Sequence, residues 1–231
     1  MIAILSAMEL EIDLLRSEMQ NPKVEEHLKN NFTRGKLRGQ EVVVAASSIG
    51  KTNAAITAQF TIDKFHPDTI IHTGIAGGLA PHVKELTIVL GERITYHDFE
   101  PEIMDNFPPY TRYFYSDQRL LNLAEEHLKE NGLIYEKGLI ATGDSFIETS
   151  EQKHAIRQNM PALSVDMESA AIACAAYVNS IPILVVRSIS DLADEDSQEA
   201  YEKNKQNAAN ISANLVIDIL KRMPEISYGI Y

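Results

Sequence analysis

Three acidic residues follow apolar stretches of strand length, and carboxylates in such positions are candidates for general acid–base chemistry. They are Glu11, Glu168 and Asp191. In α/β proteins the carboxyl ends of the strands meet at one edge of the sheet, where ligands bind. Burial there raises the pKa of a carboxyl, which suits it to donate a proton near neutral pH. With Arg187 close by in the sequence, the pattern indicates one acid–base site assembled from several segments.

Each of these acids also has a purely structural interpretation. Asp191 is suited to cap the loop or helix that follows its strand. Glu168 precedes an apolar helical stretch, where a negative charge is favourable. Glu11 shares its helix with Glu9 and Asp13 and, taken alone, would belong to a solvated face. The joint occurrence of the three acids, rather than any one of them, favours a site.

The elements that must position these residues follow from the apolar pattern of a 231-residue chain of ordinary globular composition. Strands are predicted at 2–7, 32–37, 41–46, 69–73, 87–96, 138–142, 162–165 and 182–188. Helices are predicted at 8–19, 51–65, 118–130, 167–178 and 196–221. Alternating strands and helices, without a linker or repeat, indicate a single α/β domain over 1–231. We expect a three-layer αβα sandwich with a mixed, largely parallel central sheet.

Segment 99–115 differs from the rest because it combines three prolines with six aromatic residues. It is predicted to be an irregular loop, and loops of that length are usually functional or form an interface. The alternative is a loop that packs on its own domain.

Two glycine-containing motifs are weaker signals. The triplet Gly50-Lys51-Thr52 would belong to a phosphate-binding P-loop only with a further glycine where Ala45 stands. It is therefore predicted to be a turn from a strand into a helix. The stretch 74–78 lacks the spacing of a dinucleotide site and indicates either close backbone approach to a ligand or tight strand–helix packing.

Charge and cysteine content exclude several classes of function. With 21 basic and 33 acidic residues the net charge is −12, so neither a nucleic acid nor a membrane is a predicted partner. The single cysteine, Cys174, excludes an internal disulfide and a Cys-rich zinc site, and it predicts a cytoplasmic location. The seven histidines show no ligand spacing and are expected mostly at the surface or in loops. No metal or cofactor is predicted.

Seven short motifs, taken in order, resemble those of the bacterial 5′-methylthioadenosine/S-adenosylhomocysteine nucleosidases, within the nucleoside phosphorylase superfamily. The motifs are AMELE (7–11), SIGK (48–51), HTGIAGGL (72–79), YHD (96–98), TGDSF (142–146), VDME (165–168) and RSISD (187–191). Each is modestly specific alone, and their common order and spacing over residues 1–222 make the resemblance specific.

The resemblance implies hydrolysis of the N-glycosidic bond of a 5′-thio-substituted adenosine, through a transition state like a ribosyl oxocarbenium ion. By similarity, Asp191 would protonate N7 of adenine and Glu11 would activate the attacking water. Glu168 would accept hydrogen bonds from the ribose 2′ and 3′ hydroxyls, and Arg187 would help to position the water or its base.

The resemblance also implies a set of substrate-binding residues and a partner subunit. Phe146 would stack on the purine and backbone groups of Ile147 would read its edge. The implied binding residues are Met8, Ile49, Ile75, Ala76, Gly77, Phe146, Ile147, Asp166, Met167, Glu168 and Ser190. The family forms homodimers in which a loop of one subunit covers the 5′ group of the other's ligand. Here that loop would be 99–115, with Met104, Phe107 and Pro109 as contributors.

Two positions depart from the family pattern. Ile75 stands where a small hydroxyl residue is usual, so a hydrogen bond near the ribose or water would be missing and the rate or the substrate preference would differ. Asp166 stands where many members have glutamate, a change that relatives also show.

Three other functions remain open. A phosphorylase needs cations near the first strand, but that turn offers Glu9 and Glu11, and the first basic residue is Arg16. A carboxylate about 4 Å from phosphate would cost roughly 4 kcal/mol at an effective dielectric near 20, which favours water. A hydrolase for another nucleoside, such as futalosine, is the second alternative. A silent nucleoside-binding module is the third, but it would not require Glu11 and Asp191 together.

Overall fold

The computed structural model describes residues 1–223, which form ten strands and seven helices. The strands are β1 (Ile2–Ser6), β2 (Gln20–His27), β3 (Asn30–Leu37), β4 (Gln40–Ala46), β5 (Thr69–Gly78), β6 (Ile88–Tyr96), β7 (Phe114–Tyr115), β8 (Tyr135–Thr142), β9 (Ser164–Asp166) and β10 (Ile183–Asp191). The helices are α1 (Glu9–Ser17), α2 (Lys51–Phe65), α3 (Pro101–Asn106), α4 (Gln118–Glu130), α5 (Ser150–Asn159), α6 (Ser169–Val178) and α7 (Ser197–Arg222).

One mixed sheet joins these strands in the order β10-β6-β8-β9-β5-β1-β4-β3-β2, with β7 on β6. Because β10 also pairs with β5, the strands β5, β10, β6, β8 and β9 close on themselves. Strand β5 lies between β1 and β10 and is parallel to both. The carboxyl ends of these three strands therefore meet at one edge.

Two apolar clusters fill the two faces of the sheet. On one face, α1, α4 and α7 pack on side chains such as Ile4, Val44 and Leu184. On the other face, α2 and α6 pack on side chains such as Leu5 and Val185. This arrangement is the predicted three-layer sandwich. Among residues 1–223, no helix is long and apolar enough to cross a membrane.

The structure corrects several predicted elements. Strand β2 was not predicted because Gln20–His27 is polar and mostly exposed, as an edge strand can be. Helix α5 was not predicted because it buries only Ile156. Segment 99–115 is not wholly irregular, since it contains α3 and β7. Strand β5 runs through the glycine stretch 74–78, whereas the predicted strand ends at residue 73.

Candidate active site

A cavity of about 270 Å³ lies where the carboxyl ends of β1, β5 and β10 meet. Its walls are mostly apolar, and they include carboxylates from three separate segments. The lining residues are Ala7, Met8, Glu11, Ile49, Ile75, Ala76, Gly77, Ser145, Phe146, Ile147, Val165, Asp166, Met167, Glu168, Ser190, Asp191, Gln198 and Tyr201. All the predicted catalytic and substrate-binding residues of this chain except Arg187 are thus brought together.

The carboxylate of Glu11 is fixed by the way in which α1 begins. Helix α1 follows β1 directly, so the amides of Ala7 and Met8 have no partner within the helix. Glu11, three residues into the helix, turns back as in a capping box, and its Oε2 accepts from both amides, at 3.0 and 2.8 Å. The hydroxyl of Ser6 donates to the same oxygen at 2.8 Å, and the amide of Ile75 donates to Oε1 at 2.9 Å. Glu11 is 3% exposed and is held by two strands at once.

Gly74 makes the close approach of Glu11 to β5 possible. Gly74 has a φ of +155°, which residues with a side chain rarely adopt. A Cβ atom at this position would also lie 2.5 Å from Oε1 of Glu11 and so would clash with it. The same atom would lie 2.8 Å from Nη1 of Arg187. The glycine stretch in β5 therefore allows a carboxylate and a guanidinium to approach the strand closely.

Asp191 ends β10 and is 1% exposed. Its Oδ2 accepts from the hydroxyl of Ser190 at 2.7 Å, and its Oδ1 accepts from the amide of Ala193 at 3.0 Å. Burial raises the pKa of Asp191, and these hydrogen bonds offset only part of the rise. A carboxyl with a raised pKa on a cavity wall is suited to deliver a proton.

Glu168 is the third buried acid and immediately precedes α6. Its Oε1 accepts from the amide of Gly50 at 2.9 Å. Burial, reinforced by the charge of Asp166, raises the pKa of Glu168 to about 7, although the Gly50 amide acts in the opposite direction. Its ionisation is therefore poised near neutral pH.

Arg187 is the centre of a buried network behind the cavity wall. It donates from Nε to Asp166 at 2.8 Å, from Nη2 to the hydroxyl of Ser169 at 2.9 Å, and also from Nη2 to Nε2 of His72. Burial and the charge of Arg187 lower the pKa of His72 to about 3, so its ring is neutral. Its Nε2 accepts from Arg187 while its Nδ1 donates to the carbonyl of Leu5 at 2.9 Å.

This network changes what can be expected of Arg187 and Asp166. Arg187 is 1% exposed and does not line the cavity, so it acts on the site only through its neighbours. Burial would raise the pKa of Asp166, but the charge of Arg187 lowers it, and the carboxylate also accepts from Thr142 at 2.7 Å. Asp166, unlike Arg187, lines the cavity, and its carboxylate is engaged by this network. The histidines are expected mostly at the surface or in loops, and His72 is an exception because it is fully buried in β5.

The outer wall of the cavity is apolar and more exposed. The side chains of Ile49 and Phe146 are 50% and 38% exposed, as expected for a wall that receives a ligand. Tyr201 packs edge-on against Phe146, with ring centroids 5.9 Å apart, and its hydroxyl donates to Sδ of Met8 at 3.4 Å.

Sequence reasoning missed five lining residues: Ala7, Ser145, Val165, Gln198 and Tyr201. Three of them are direct neighbours of predicted site residues. Gln198 and Tyr201 lie three residues apart in the first turns of α7 and so share a face. Their spacing predicts that they share a face of the helix, but nothing in the sequence indicates that this face of α7 lines the cavity.

The predicted partner-subunit loop, 99–115, lies away from the first cavity. Met104 is only 5% exposed, whereas Phe107 is 60% exposed. Met104 and Pro109 line a second cavity of about 390 Å³ together with residues of α2 and α6. None of the three predicted loop residues lines the first cavity, and their role toward a partner subunit stays a prediction. Within residues 1–223 no group of three potential ligands could hold a metal ion.

Comparison with known proteins shows the family to which the chain belongs. A family model described as the phosphorylase superfamily matches residues 1–221. The chain belongs to this superfamily.

Individual relatives indicate which members of the superfamily this chain is similar to. A Staphylococcus saprophyticus protein named 5′-methylthioadenosine/S-adenosylhomocysteine nucleosidase is 35% identical over 226 residues, which cover 96% of this chain and 99% of the relative. The solved structure of the Neisseria meningitidis nucleosidase of that name, in complex with methylthio-immucillin-A, has a TM-score of 0.91 and 35% identity, covering 95% of this chain and 98% of that one.

A structural neighbour with another name is also similar. The native structure of futalosine hydrolase of Helicobacter pylori has a TM-score of 0.90 and 27% identity, and the match covers 96% of this chain and 97% of that one. The predicted resemblance, the α/β fold and the enzyme class of N-glycosyl hydrolase are confirmed by these similarities. The roles of individual residues stay predictions.

Proposed function

We propose that the chain hydrolyses the N-glycosidic bond of 5′-methylthioadenosine and S-adenosylhomocysteine to adenine and the 5-thioribose product. The observation that carries the proposal is the pair of buried carboxylates, Glu11 and Asp191, on one cavity. Glu11 bonds the amide of Ile75, and Asp191 lies beside Gly77, so their contacts on β5 are about 7 Å apart along the strand.

The chemistry assigns one proton transfer to each carboxylate. Glu11 takes a proton from water while the water oxygen bonds to C1′ of the ribose. The C1′–N9 bond breaks, its electron pair goes to adenine, and Asp191 delivers its proton to N7. Adenine thus leaves as a neutral molecule, and the carboxylate of Glu11 stabilises the positive charge that develops on the ribosyl group. A turnover leaves Glu11 protonated and Asp191 ionised, and proton exchange with solvent resets both.

The charge of the cavity favours water over phosphate as the nucleophile. Within residues 1–223 the lining holds four acidic residues and no lysine or arginine. Arg187, the nearest buried cation, is already paired with Asp166. A phosphate beside the carboxylate of Glu11 would be repelled, whereas a neutral water would donate a hydrogen bond to that carboxylate.

We assign recognition of the ribose and the purine to the other residues that line the cavity. An ionised Glu168 offers only acceptors, which match the two hydroxyl donors of the ribose. The ring of Phe146 supplies a flat apolar face for the purine. Ile75 contributes its amide to Glu11, while its side chain packs with Ala208 and Ala209 of α7.

We also propose that the chain acts as a homodimer through the face that carries α3. Large apolar side chains are exposed on segment 99–115, among them Ile103, Phe107 and Tyr110. A clustered apolar surface of this kind marks an interaction site. Light scattering after gel filtration is expected to give twice the 25.8 kDa of the chain, and a monomer at micromolar concentration would contradict the proposal. The cytoplasmic location remains a prediction from the single cysteine.

The deciding experiment is release of adenine from 5′-methylthioadenosine by dialysed protein, with and without added phosphate. Adenine and free methylthioribose without phosphate are the expected products. Release that requires phosphate would make the protein a phosphorylase and contradict the role of Glu11. Absence of release in both conditions would point to another nucleoside, and futalosine would be tested next because of the structural neighbour of that name.

The raised pKa of Glu168 predicts a pH dependence of substrate affinity. The carboxylate offers both oxygens as acceptors to the two ribose hydroxyls, whereas protonation turns one oxygen into a donor, so affinity should rise as the pH passes upward through about 7. Between pH 6 and pH 8 the expected gain is roughly tenfold, as the ionised fraction climbs from about one-tenth to nine-tenths. Calorimetric titration of 5′-methylthioadenosine into the Asp191→Asn variant measures this without turnover. Adding Glu168→Gln should flatten the profile, and a profile already flat with Glu168 in place would contradict the prediction.

A further inference from the structure

Lys51, which belongs to a motif that the proposed mechanism does not use, lies at the centre of an ionic cluster beside the cavity. Its Nζ donates to both carboxylate oxygens of Asp98 at 2.7 Å and lies 3.6 Å from Oδ2 of Asp144. The lysine side chain is 23% exposed and that of Asp98 is 30% exposed. This shielding strengthens the Lys51–Asp98 pair relative to a fully solvated one, whereas the side chain of Asp144 is 49% exposed.

Backbone hydrogen bonds tie the same three residues together. The amide of Lys51, the first residue of α2, donates to Oδ1 of Asp144 at 2.8 Å. The amide of Asp144 in turn donates to Oδ2 of Asp98 at 2.9 Å. The cluster therefore joins three segments that are distant in sequence: the turn 47–51, residues 97–98 after β6, and the loop 143–147.

Two of these segments carry walls of the cavity. The turn holds Ile49 and Gly50, and the amide of Gly50 donates to Glu168 at 2.9 Å. Gly50 has a φ of +97°, a conformation that favours glycine, and a Cβ atom there would lie 3.3 Å from Oδ1 of Asp144. The loop holds Phe146 and Ile147. The cluster thus lies directly behind the groups assigned to ribose and purine.

We propose that Lys51 is a positioning residue that sets the substrate-binding walls by clamping the turn 47–51 to the loop 143–147 through Asp98 and Asp144. This inference rests on the proposed function, because it concerns the affinity of the same cavity. The strand-to-helix turn predicted for the Gly-Lys-Thr triplet is present, and its lysine has a use unrelated to a nucleotide triphosphate.

The clamp acts on binding rather than on the chemical step. Glu11 is held by residues of β1, α1 and β5, and Asp191 by Ser190 and Ala193. Neither set of hydrogen bonds involves Lys51. Loss of the clamp should therefore raise KM and leave kcat nearly unchanged.

Kinetics of Lys51→Met test this, with Lys64→Met as the matched control because Lys64 is an exposed lysine in the last turn of the same helix. For Lys51→Met we expect KM for 5′-methylthioadenosine to rise roughly tenfold, which corresponds to about 1.4 kcal/mol, with kcat changed less than about threefold. Lys51→Arg should restore most of the affinity, since a guanidinium can pair with both carboxylates. An unchanged KM, or a kcat that falls as far as the affinity, would overturn the proposal.

Two further measurements test the clamp if Lys51→Met does not fold or if the wild-type protein releases no adenine. If Lys51→Met does not fold, Asp98→Asn removes one partner at constant size and should show the same split between KM and kcat. Hydrogen exchange of the amides in 47–51 and 143–147 should quicken in either variant and stay unchanged in Lys64→Met. This readout needs no substrate, so it decides on the clamp even if the wild-type protein releases no adenine and the proposed function fails. Unaltered exchange would refute the clamp.

A pH profile adds a signature that simple loss of stability would not give. Glu168 is faced by Asp166, Arg187, Glu11 and the amide of Gly50, and that amide lowers its pKa. A turn released from its clamp holds the amide less firmly. The rise of affinity with pH should then shift to higher pH in Lys51→Met, and an unshifted profile would count against the proposal.

Discussion

Replacing Asp191 with asparagine is expected to lower kcat by roughly 10²–10⁴-fold while the protein still folds and binds its ligand. The amide keeps the size of the side chain but has no acidic proton for N7 of adenine. Its oxygen can still accept from Ser190 or Ala193, so the end of β10 keeps its shape. Steady-state release of adenine measures the loss, and calorimetric binding of 5′-methylthioadenosine measures what is retained.

A matched control lies five residues away. Asp196 is exposed and belongs to the loop between β10 and α7, and its side chain does not cap that helix. Asp196→Asn should therefore retain wild-type kcat. Near-full activity in Asp191→Asn would show that another group protonates the leaving base.

Replacing Glu11 with glutamine is expected to slow the single-turnover rate by a similar factor, roughly 10²–10⁴-fold, because the group that takes the proton from water is lost. A second effect adds to this one. Both oxygens of Glu11 face amide donors, from Ala7 and Met8 on one and Ile75 on the other. The NH₂ group of glutamine must therefore face a donor in either orientation, which displaces the side chain.

The neighbouring Glu9 provides the control for this variant. It is an exposed residue of α1 that pairs with Arg16, and such pairs contribute little to stability. Glu9→Gln should leave the single-turnover rate unchanged. Circular dichroism and thermal unfolding would verify that Glu11→Gln is folded. A folded Glu11→Gln variant with an unchanged rate would remove Glu11 from the mechanism.

The sequence predicted the buried acids of the site and most of its lining, and it missed the contribution of α7. Glu11, Glu168 and Asp191 could be found because each follows an apolar strand, and a local pattern of that kind identifies a strand end. The layering could also be predicted, since near-continuous apolar runs such as that in β10 must be covered on both faces.

Contacts between distant segments could not be predicted in this way. Tyr201 reaches the cavity only because α7 packs across the ends of β5 and β10, which no local pattern in α7 reports. Strand β5 was predicted too short because glycine usually ends a strand, whereas Gly74 here serves the close approach of Glu11. The buried position of His72 depends on a partner, Arg187, that is 115 residues away. Pairings of this kind exist only once the chain is folded.

The difference between the buried, hydrogen-bonded acids and the more exposed apolar lining residues has an evolutionary consequence. The two acids proposed to react, Glu11 and Asp191, are held by hydrogen bonds at the ends of β1, β5 and β10, while Ile49, Phe146 and Tyr201 lie on a turn, a loop and a helix. Mutations can reshape these outer groups without disturbing the hydrogen bonds that orient Glu11 and Asp191. Lineages with this architecture can therefore diverge in substrate by loop variation alone.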